Sequence, residues 1–290
     1  MEKIHFSFLS EKEVPALHDA FMAAFADYVV PIKLNREQFK AKLKREGVEP
    51  AFCVAAYAGA EIVGFILTGL GEWEGKPTAY NAGTGVLPAY RGQALTRQMY
   101  SFLLPKLRKS GVEQCLLEVI KGNEPALSSY QKVGFTQTRL LDCFRGVKEE
   151  ILLSKEAFPE GITIVEVASP NWNPYHCFWD AMPTWQNTSQ SIKRSIERTV
   201  VLEAHVAQQE LVGYIAFFPH NGAVVQFAVD QTKRNEGVGT VLLQEAMRLS
   251  ASASMLFINV DVRSTTLINF LERRHFTKVL QQYEMLLPLD

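Results

Sequence analysis

Arg91 and Arg234 each precede a run of small residues that opens an amphipathic helix, and they stand 143 positions apart. Phe135 and Phe276, near the far end of the same pattern, stand 141 apart. Two landmarks that agree this closely mean a duplicated domain, because solenoid repeats are only about 20–45 residues long. A chain of 290 residues then divides into halves that are each the size of an ordinary domain. The halves are set at 1–150 and 151–290. The boundary lies in VKEEILLSKEAFPEG, residues 147–161, which ends in Pro-Glu-Gly.

Hydrophobic periodicity gives both halves one element order. In the first, KIHFSFLS (3–10) reads as a strand, and two helices follow at 11–28 and 35–48. AFCVAAYA (51–58), EIVGFILTGL (61–70) and TAYNAGTGVL (78–87) read as strands. After the Arg91 turn come a long helix, the strand QCLLEVI (114–120), the helix EPALSSYQKVG (124–134) and the strand FTQTRLLD (135–142). Pro105 should kink or break the long helix, since it has no N–H to donate. In the second half ITIVEVA is a strand, NTSQSIKRSIERT (187–199) reads as a helix, and VVLEAHVA and ELVGYIAFF are strands. His220-Asn221-Gly222 reads as a hairpin turn with positive φ at Asn and Gly, leading into AVVQFAVD. The Gly237 helix, MLFINVDV, TTLINFLERRH and FTKVLQQYEMLL complete the copy. The expectation is a mixed α/β fold of two tandem domains, each a mostly antiparallel sheet flanked by helices.

Bulk composition excludes several functions. Thirty basic residues oppose 31 acidic ones, so a net charge of −1 offers no attraction to nucleic acid or an anionic membrane. No apolar run approaches the ~20 residues of a membrane span, and the first residues hold no signal-peptide core. Cys53, Cys115, Cys143 and Cys177 are too scattered for a zinc site and read as idle thiols of a reducing compartment, so no metal is expected. These features predict a soluble, cytoplasmic protein, monomeric or homodimeric.

The loop KRNEGVG holds the most chemistry. Val238, Val241, Leu242, Ala246 and Leu249 follow helical spacing, which starts a helix near Glu236. The first N–H groups of a helix lack internal partners and sit at its positive end. Gly237 and Gly239 would let an anion approach that backbone, and Arg234 would add a cation. Pyrophosphate suits such a cradle. The P-loop and the six-residue dinucleotide fingerprint are both absent.

Arg234-Asn235-Glu236-Gly237-Val238-Gly239 resembles the [Q/R]-x-x-G-x-[G/A] loop of the GNAT superfamily of acyl-CoA-dependent N-acyltransferases. The first copy's Val86 and Arg91-Gly92-Gln93-Ala94-Leu95-Thr96 are similar to the same strand-to-loop run, with Ala94 and Thr96 replacing glycines. Both residues are small and compatible with helical φ. Leu117-Glu118-Val119, Asn123, Ala126, Tyr130, Lys132, Gly134 and Phe135 resemble the family's LEV…N-x-x-A-x-x-x-Y-x-K-x-G-F segment, most closely its branch acting on N-terminal amines. In the second copy Ser264, Leu271 and His275 replace Asn123, Tyr130 and Gly134.

The resemblance implies an acetyl-CoA-dependent N-acetyltransferase acting on a small-molecule or peptide amine. Coenzyme A would contact Val86, the 91–96 loop and Asn123 in the first copy. In the second it would contact Val229, Arg234, Asn235, Glu236, Gly237, Val238, Gly239 and Thr240. Backbone groups at Gly85 and Val86 would polarise the thioester, and Tyr130 would protonate the departing thiolate. Asn123 has a structural reading too, as a helix N-cap. Glu118 is the named base, with Asp27, Glu72 and Glu74 as further candidates. Tyr28 and Trp73, in the GEWEGKP loop, would line the acceptor cleft; Trp172, Tyr175, Trp179 and Trp185 would line the second cleft or form its core. The first copy is expected to be catalytic. A catalytic second copy, or a non-catalytic acyl-CoA sensor, remains open.

Overall fold

A computed structural model describes residues 3–28, 32–153 and 161–289. Most of the boundary segment's second half, residues 154–160, lies outside the described residues. The chain forms two compact units. One comprises Met1–Thr138 with Tyr283–Asp290, and the other Arg139–Gln282.

The first unit opens with β1 (Ile4–Phe8), α1 (Val14–Ala24) and α2 (Arg36–Glu46). Asn35 caps α2 by accepting from the Gln38 N–H, and Gly47 ends it at φ 70°. Then follow β2 (Val54–Ala58), β3 (Glu61–Trp73) and β4 (Lys76–Val86), joined in antiparallel order β1-β2-β3-β4. Helix α3 (Leu95–Lys109) leads to β5 (Gln114–Ile120), which pairs with β4 in parallel. Helix α4 (Glu124–Val133) and β6 (Thr136–Val147) complete this stretch. Val54, Ile66, Met99, Leu103, Leu107, Leu117 and Phe135 form the core.

Pro105 lies inside α3 and does not break it. Pro105 and Ser101, whose carbonyl loses its partner, both face solvent, where water can replace the missing bond.

The second unit has β7 (Thr163–Glu166), β8 (Val200–Val206), β9 (Glu210–Phe218) and β10 (Ala223–Val229) in antiparallel succession. Between β7 and β8, the helix expected at 187–199 shrinks to α5 (Ser189–Lys193), followed by a separate 3-10 turn, Ile196–Arg198. Further 3-10 turns occupy Pro174–Phe178 and Trp185–Asn187. Proline at 170, 174 and 183 interrupts this stretch, and its aromatic residues hold it by packing: Trp172, Tyr175 and Trp185 are buried. Of the four aromatics offered as cleft or core, three are therefore core. Helix α6 (Val238–Leu249), β11 (Ser254–Asp261), α7 (Thr265–Glu272) and β12 (Thr277–Pro288) follow, with β11 parallel to β10 and antiparallel to β6. At the β9–β10 hairpin only Gly222 has positive φ (72°). Asn221 instead bends the turn by accepting from the Ala223 N–H at 3.0 Å.

Both units are mixed, mostly antiparallel sheets with helices, as expected. Their boundary is not a single cut at 150. The last strand of each copy is traded: β6 from Arg139 onward belongs to the second unit, and residues 283–290 belong to the first. There Met285 and Leu289 join the core, and the Leu289 N–H donates to the Glu113 carbonyl at 2.7 Å.

Candidate active sites

Each unit opens its sheet in the same way. A bulge at Ala82 shifts the β4 register against β3, and a bulge at Val225 shifts β10 against β9. The parallel pairing of β4 with β5 ends at Tyr80–Leu116, and that of β10 with β11 ends at Val224–Phe257. Past these points the strands part, leaving a cleft that the following loop and helix face.

The two loops share one backbone path. Gly92 (φ 79°) and Ala94 (φ 55°) in the first unit match Asn235 (φ 65°) and Gly237 (φ 86°) in the second. Ala94 is therefore left-handed rather than helical, as Gly237 is. Each is the N-cap of its helix and offers no side-chain cap, which leaves the first-turn N–H groups of α3 and α6 for an outside acceptor. Gly239 has a different reason from the one expected. A Cβ there would lie 3.1 Å from both Phe227 and Phe270, so the glycine admits two aromatic rings against α6. At the matching positions the first copy has Thr84 and Ser129, which leaves room for Thr96.

The arginines of both loops are clamps. Arg91 donates from Nε to the Val86 carbonyl (3.2 Å), from Nη2 to the Ala24 carbonyl (3.0 Å), and from both Nη atoms to Asp27 (2.6 and 2.8 Å). Arg234 repeats this with the Val229 carbonyl (3.1 Å), the Phe178 carbonyl (3.2 Å) and Asp180 (2.8 Å). Their forks are committed to the protein, so each fixes the loop's path instead of adding a free cation. Asp27, held below the usual carboxylate range by Arg91, is correspondingly a poor base.

Tyr130 belongs to a partly buried polar cluster, centred on Asn81, that the sequence did not reveal. Asn81 Nδ2 donates to Thr84 Oγ1 (2.8 Å) and Tyr100 OH (2.9 Å), with Tyr130 OH at 3.4 Å. Asn81 Oδ1 accepts from the Gly83 N–H at 2.9 Å, which fixes the amide. Burial pushes the Tyr130 phenol above its ordinary pKa, and hydrogen bonds from Thr84 and Asn81 oppose that push. The phenol stays protonated at neutral pH, and two donors await the phenolate once the proton leaves.

Asn123 takes its structural reading, as a helix N-cap. Its Oδ1 caps α4 by accepting from the Ala126 N–H (3.3 Å), and its Nδ2 reaches Tyr28 OH (3.4 Å). Tyr28 thus sits beside the N-terminus of α4. Glu118 lies on the diverging part of β5, accepts from Tyr80 OH at 2.6 Å and attracts the charge of half-buried Arg45. Trp73 does not line the cleft. It is buried, its carbonyl accepts from Gln114 Nε2, and it pairs with Lys76 at the start of β4. That is nine residues, or roughly 30 Å of strand, from Gly85. Glu72 and Glu74 share this far hairpin, which excludes both as bases.

The second cleft holds a cavity of about 760 Å³, within the ~300–1,000 Å³ usual for small-ligand sites. Asn235, Glu236, Gly237, Gly239 and Thr240 line it, together with Trp179, Phe227 and Phe270. Its polar interior is largely self-paired: Trp179 Nε1 donates to Tyr214 OH (2.6 Å), which donates to Gln226 Oε1 (2.7 Å). Val224, Phe227, Leu243 and Leu271 stand at the positions of Asn81, Thr84, Tyr100 and Tyr130. Among the described residues no cluster of His, Cys, Asp or Glu could hold a metal, and no helix is long and apolar enough to cross a membrane. Cys53 and Cys115 are buried thiols pushed up to about 12 by desolvation, consistent with inert side chains.

The model of the acetyltransferase (GNAT) family matches residues 14–135 and again 165–276. Mycothiol acetyltransferase of Pseudarthrobacter chlorophenolicus is 28% identical over 130 residues, which are 44% of this chain and 40% of that protein. N-alpha-acetyltransferase MAK3 of Arabidopsis thaliana is 27% identical over 92 residues, 32% of this chain and 48% of its own length. Each match thus spans less than half of the relative. Among solved structures, a tandem GNAT protein from the clavulanic acid biosynthesis pathway superposes with a TM-score of 0.72 at 15% identity, over 99% of both chains. A GCN5-related N-acetyltransferase of Sphaerobacter thermophilus superposes with a TM-score of 0.74 at 15% identity, over 99% of this chain and 96% of its own. At such identities the likeness is one of fold.

Proposed function

We propose that this chain, which belongs to the acetyltransferase (GNAT) family, moves an acetyl group from acetyl-CoA to a primary amine in the cleft of its first unit. The observation that carries this reading is the cluster of Asn81, Thr84, Tyr100 and Tyr130, all four polar in the first copy and all four apolar in the second. The first-turn backbone of α3, with Gly92 and Ala94 bent to expose it, suits a pyrophosphate. Acetyl-CoA, when bound, supplies an acyl group already activated as a thioester.

Tyr130 then holds a proton where a leaving sulfur needs one, and Asn81 and Thr84 hold the resulting phenolate. Val86 and Gly85, ahead of the loop, present backbone to the acyl carbonyl. Glu118 is the carboxylate for the amine's proton, since Asp27 is paired and Glu72 and Glu74 are remote. Tyr28 flanks the acceptor, a small-molecule or peptide amine. The name of the Arabidopsis relative, an N-alpha-acetyltransferase, supports an α-amine. The protein works in the cytoplasm as a monomer or homodimer, without nucleic acid, membrane or metal.

Tyr130→Phe should lower turnover at least about 100-fold while sparing coenzyme binding; unchanged turnover would sink the assignment. The cavity of the second unit favours one competing reading, in which that unit performs the chemistry. Ala94→Trp and Gly237→Trp separate the two. Loss of activity only in Gly237→Trp would transfer catalysis to the second unit.

A further inference from the structure

The bulge that opens the first cleft leaves Ala82 without a partner on β3, and the pairing of β4 with β5 has already ended at Tyr80. The carbonyl of Ala82 and the N–H of Gly83 belong to one peptide plane. Where a bulge disrupts the ladder, side chains must satisfy such groups. Lys42 Nζ donates to the Ala82 carbonyl at 2.7 Å, and Asn81 Oδ1 accepts from the Gly83 N–H at 2.9 Å. The plane is gripped at both ends, by a cation on one side and by the amide of the polar cluster on the other. A cation on the carbonyl also polarises the peptide and strengthens its N–H as a donor.

Lys42 reaches this peptide because α2 is docked on the edge of β3 away from β4. Val48 bridges Gly69, the Leu70 N–H donates to the Gly47 carbonyl (2.9 Å), and the Glu49 N–H donates to the Thr68 carbonyl (2.9 Å). A Cβ on Gly69 would run into the Glu46 carbonyl, so any side chain there would push α2 off the strand. Thr68 is also the residue that pairs with Asn81. One turn back from this seam, Lys42 is paired with Glu46, a buried carboxylate that supplies its counter-charge. Arg45, the neighbouring cation of α2, answers to Glu46, Tyr80 and Glu118.

The second unit ties its bulge differently. Val225 is the bulged residue, and Val224 stands in the place of Asn81, with no amide to accept from the next peptide. The tie there is neutral, from Gln226 Nε2 to the Asn187 carbonyl at 2.7 Å. The charged grip and the polar cluster thus occur together, in one unit.

We propose that Lys42 is a positioning residue for the reaction of the first unit: by holding the Ala82 carbonyl it fixes the peptide that fixes the Asn81 amide, and so aims Asn81 Nδ2 at Thr84, Tyr100 and Tyr130. Without the ammonium the peptide can turn over. The Gly83 N–H then leaves Asn81 Oδ1, and the amide swings away from the phenols. This rests on the reading of Tyr130 as the acid, and it adds what keeps that acid's partner in place.

The test is a pH titration of the full chain labelled with carbon-13 at tyrosine Cζ, followed by NMR. Loss of one signal in Tyr130→Phe assigns Tyr130. A hydrogen bond from Asn81 favours the phenolate, so losing it makes Tyr130 a weaker acid. Tyr28, Tyr100 and Thr84 also act on this phenol, and the variants keep all three. A buried carboxylate left without its ammonium would itself destabilise the unit, so Lys42→Met is combined with Glu46→Gln. That double variant should lower the acid constant of Tyr130 about three- to tenfold, and Asn81→Leu should do the same. Joined to Asn81→Leu, the double variant should add less than about twofold, since both act through one amide. Glu46→Gln alone keeps Lys42 on the carbonyl and should stay within about twofold of the unmodified chain. A double variant that titrates with the unmodified chain, or whose effect multiplies with that of Asn81→Leu, overturns the assignment. If it does not fold, Lys42→Gln, neutral and one atom shorter, decides in its place. The titration needs neither coenzyme nor acceptor. Unchanged turnover in Tyr130→Phe would remove the acid and the inference with it. Turnover that depends on Tyr130, beside a titration indifferent to Lys42, removes the Lys42 link alone.

Discussion

The two loops trace one path with different residues, so reciprocal substitutions should have opposite signs. Ala94 sits at φ 55° and Gly237 at φ 86°, each as the N-cap of its helix. An L-residue in the left-handed region costs about 1–2 kcal/mol. Glycine avoids that cost and gives back roughly 0.5–1 kcal/mol through the extra freedom of its unfolded chain. Ala94→Gly should therefore stabilise the first unit by about 0.5–1 kcal/mol, and Gly237→Ala should destabilise the second by a similar amount. For a domain of this size, that is about 1–4 °C in melting temperature, up for one and down for the other. Urea unfolding followed by tryptophan fluorescence reads both, since Trp73 reports on one unit and Trp172, Trp179 and Trp185 on the other. A lower midpoint for Ala94→Gly would mean that Ala94 is not left-handed, and the shared loop path would fall with it.

Pro105→Ala should raise stability by about 1–2 kcal/mol, because α3 already runs through this position and alanine restores the bond to the Ser101 carbonyl; a lower urea midpoint would contradict a continuous helix. Burial raises the Tyr130 phenol, so the acid form persists as pH rises through neutrality, and any alkaline limb owed to Tyr130 should lie above pH 10. A limb below pH 10 that vanishes in Tyr130→Phe would refute its burial among Asn81 and Thr84. Asp27→Asn should leave the melting temperature nearly unchanged, because the Arg91–Asp27 pair is exposed. The acceptor KM should nonetheless rise several-fold, since Tyr28 adjoins the clamp; steady-state kinetics with a fixed coenzyme concentration would show an unchanged KM if the clamp has no such role.

Hydrophobic periodicity revealed nearly every strand and helix. The trade of terminal strands was invisible, because alternation marks the two faces of a strand and says nothing about the edge it joins. Helix 187–199 failed because its pattern was read without the packing of the aromatic turns before it. In the sites, Tyr130, Asn123 and Glu118 were singled out by the resemblance of one strand and helix to the family's segment. Asn81, Thr84 and Tyr100 were not, since each passes singly for an ordinary strand or helix residue and acquires meaning only when the bulge at Ala82 turns β4 toward α3 and α4. Trp73 misled for a simple reason. The stretch 71–77 looked like a loop, whereas β3 and β4 continue through it to a tight turn at Glu74-Gly75, both at positive φ.

The clamps separate what the fold requires from what the chemistry requires. Arg91 finds its carboxylate 64 residues back, on the segment after α1, whereas Arg234 finds its own 54 residues back, in an irregular stretch with no counterpart of that helix. No constant offset relates the two acids, yet each arginine holds the strand carbonyl five residues before it and a carbonyl near its acid. The same contacts have been reached through different local structures. They therefore answer to the loop, whose backbone must bend twice through positive φ before the helix begins. Around that common frame the facing side chains differ: Asn81, Thr84, Tyr100 and Tyr130 in one unit, Val224, Phe227, Leu243 and Leu271 at the matching positions in the other. A loop of this shape reports that an anion can be held. Whether anything then reacts is decided by the residues opposite it, and those differ between the units.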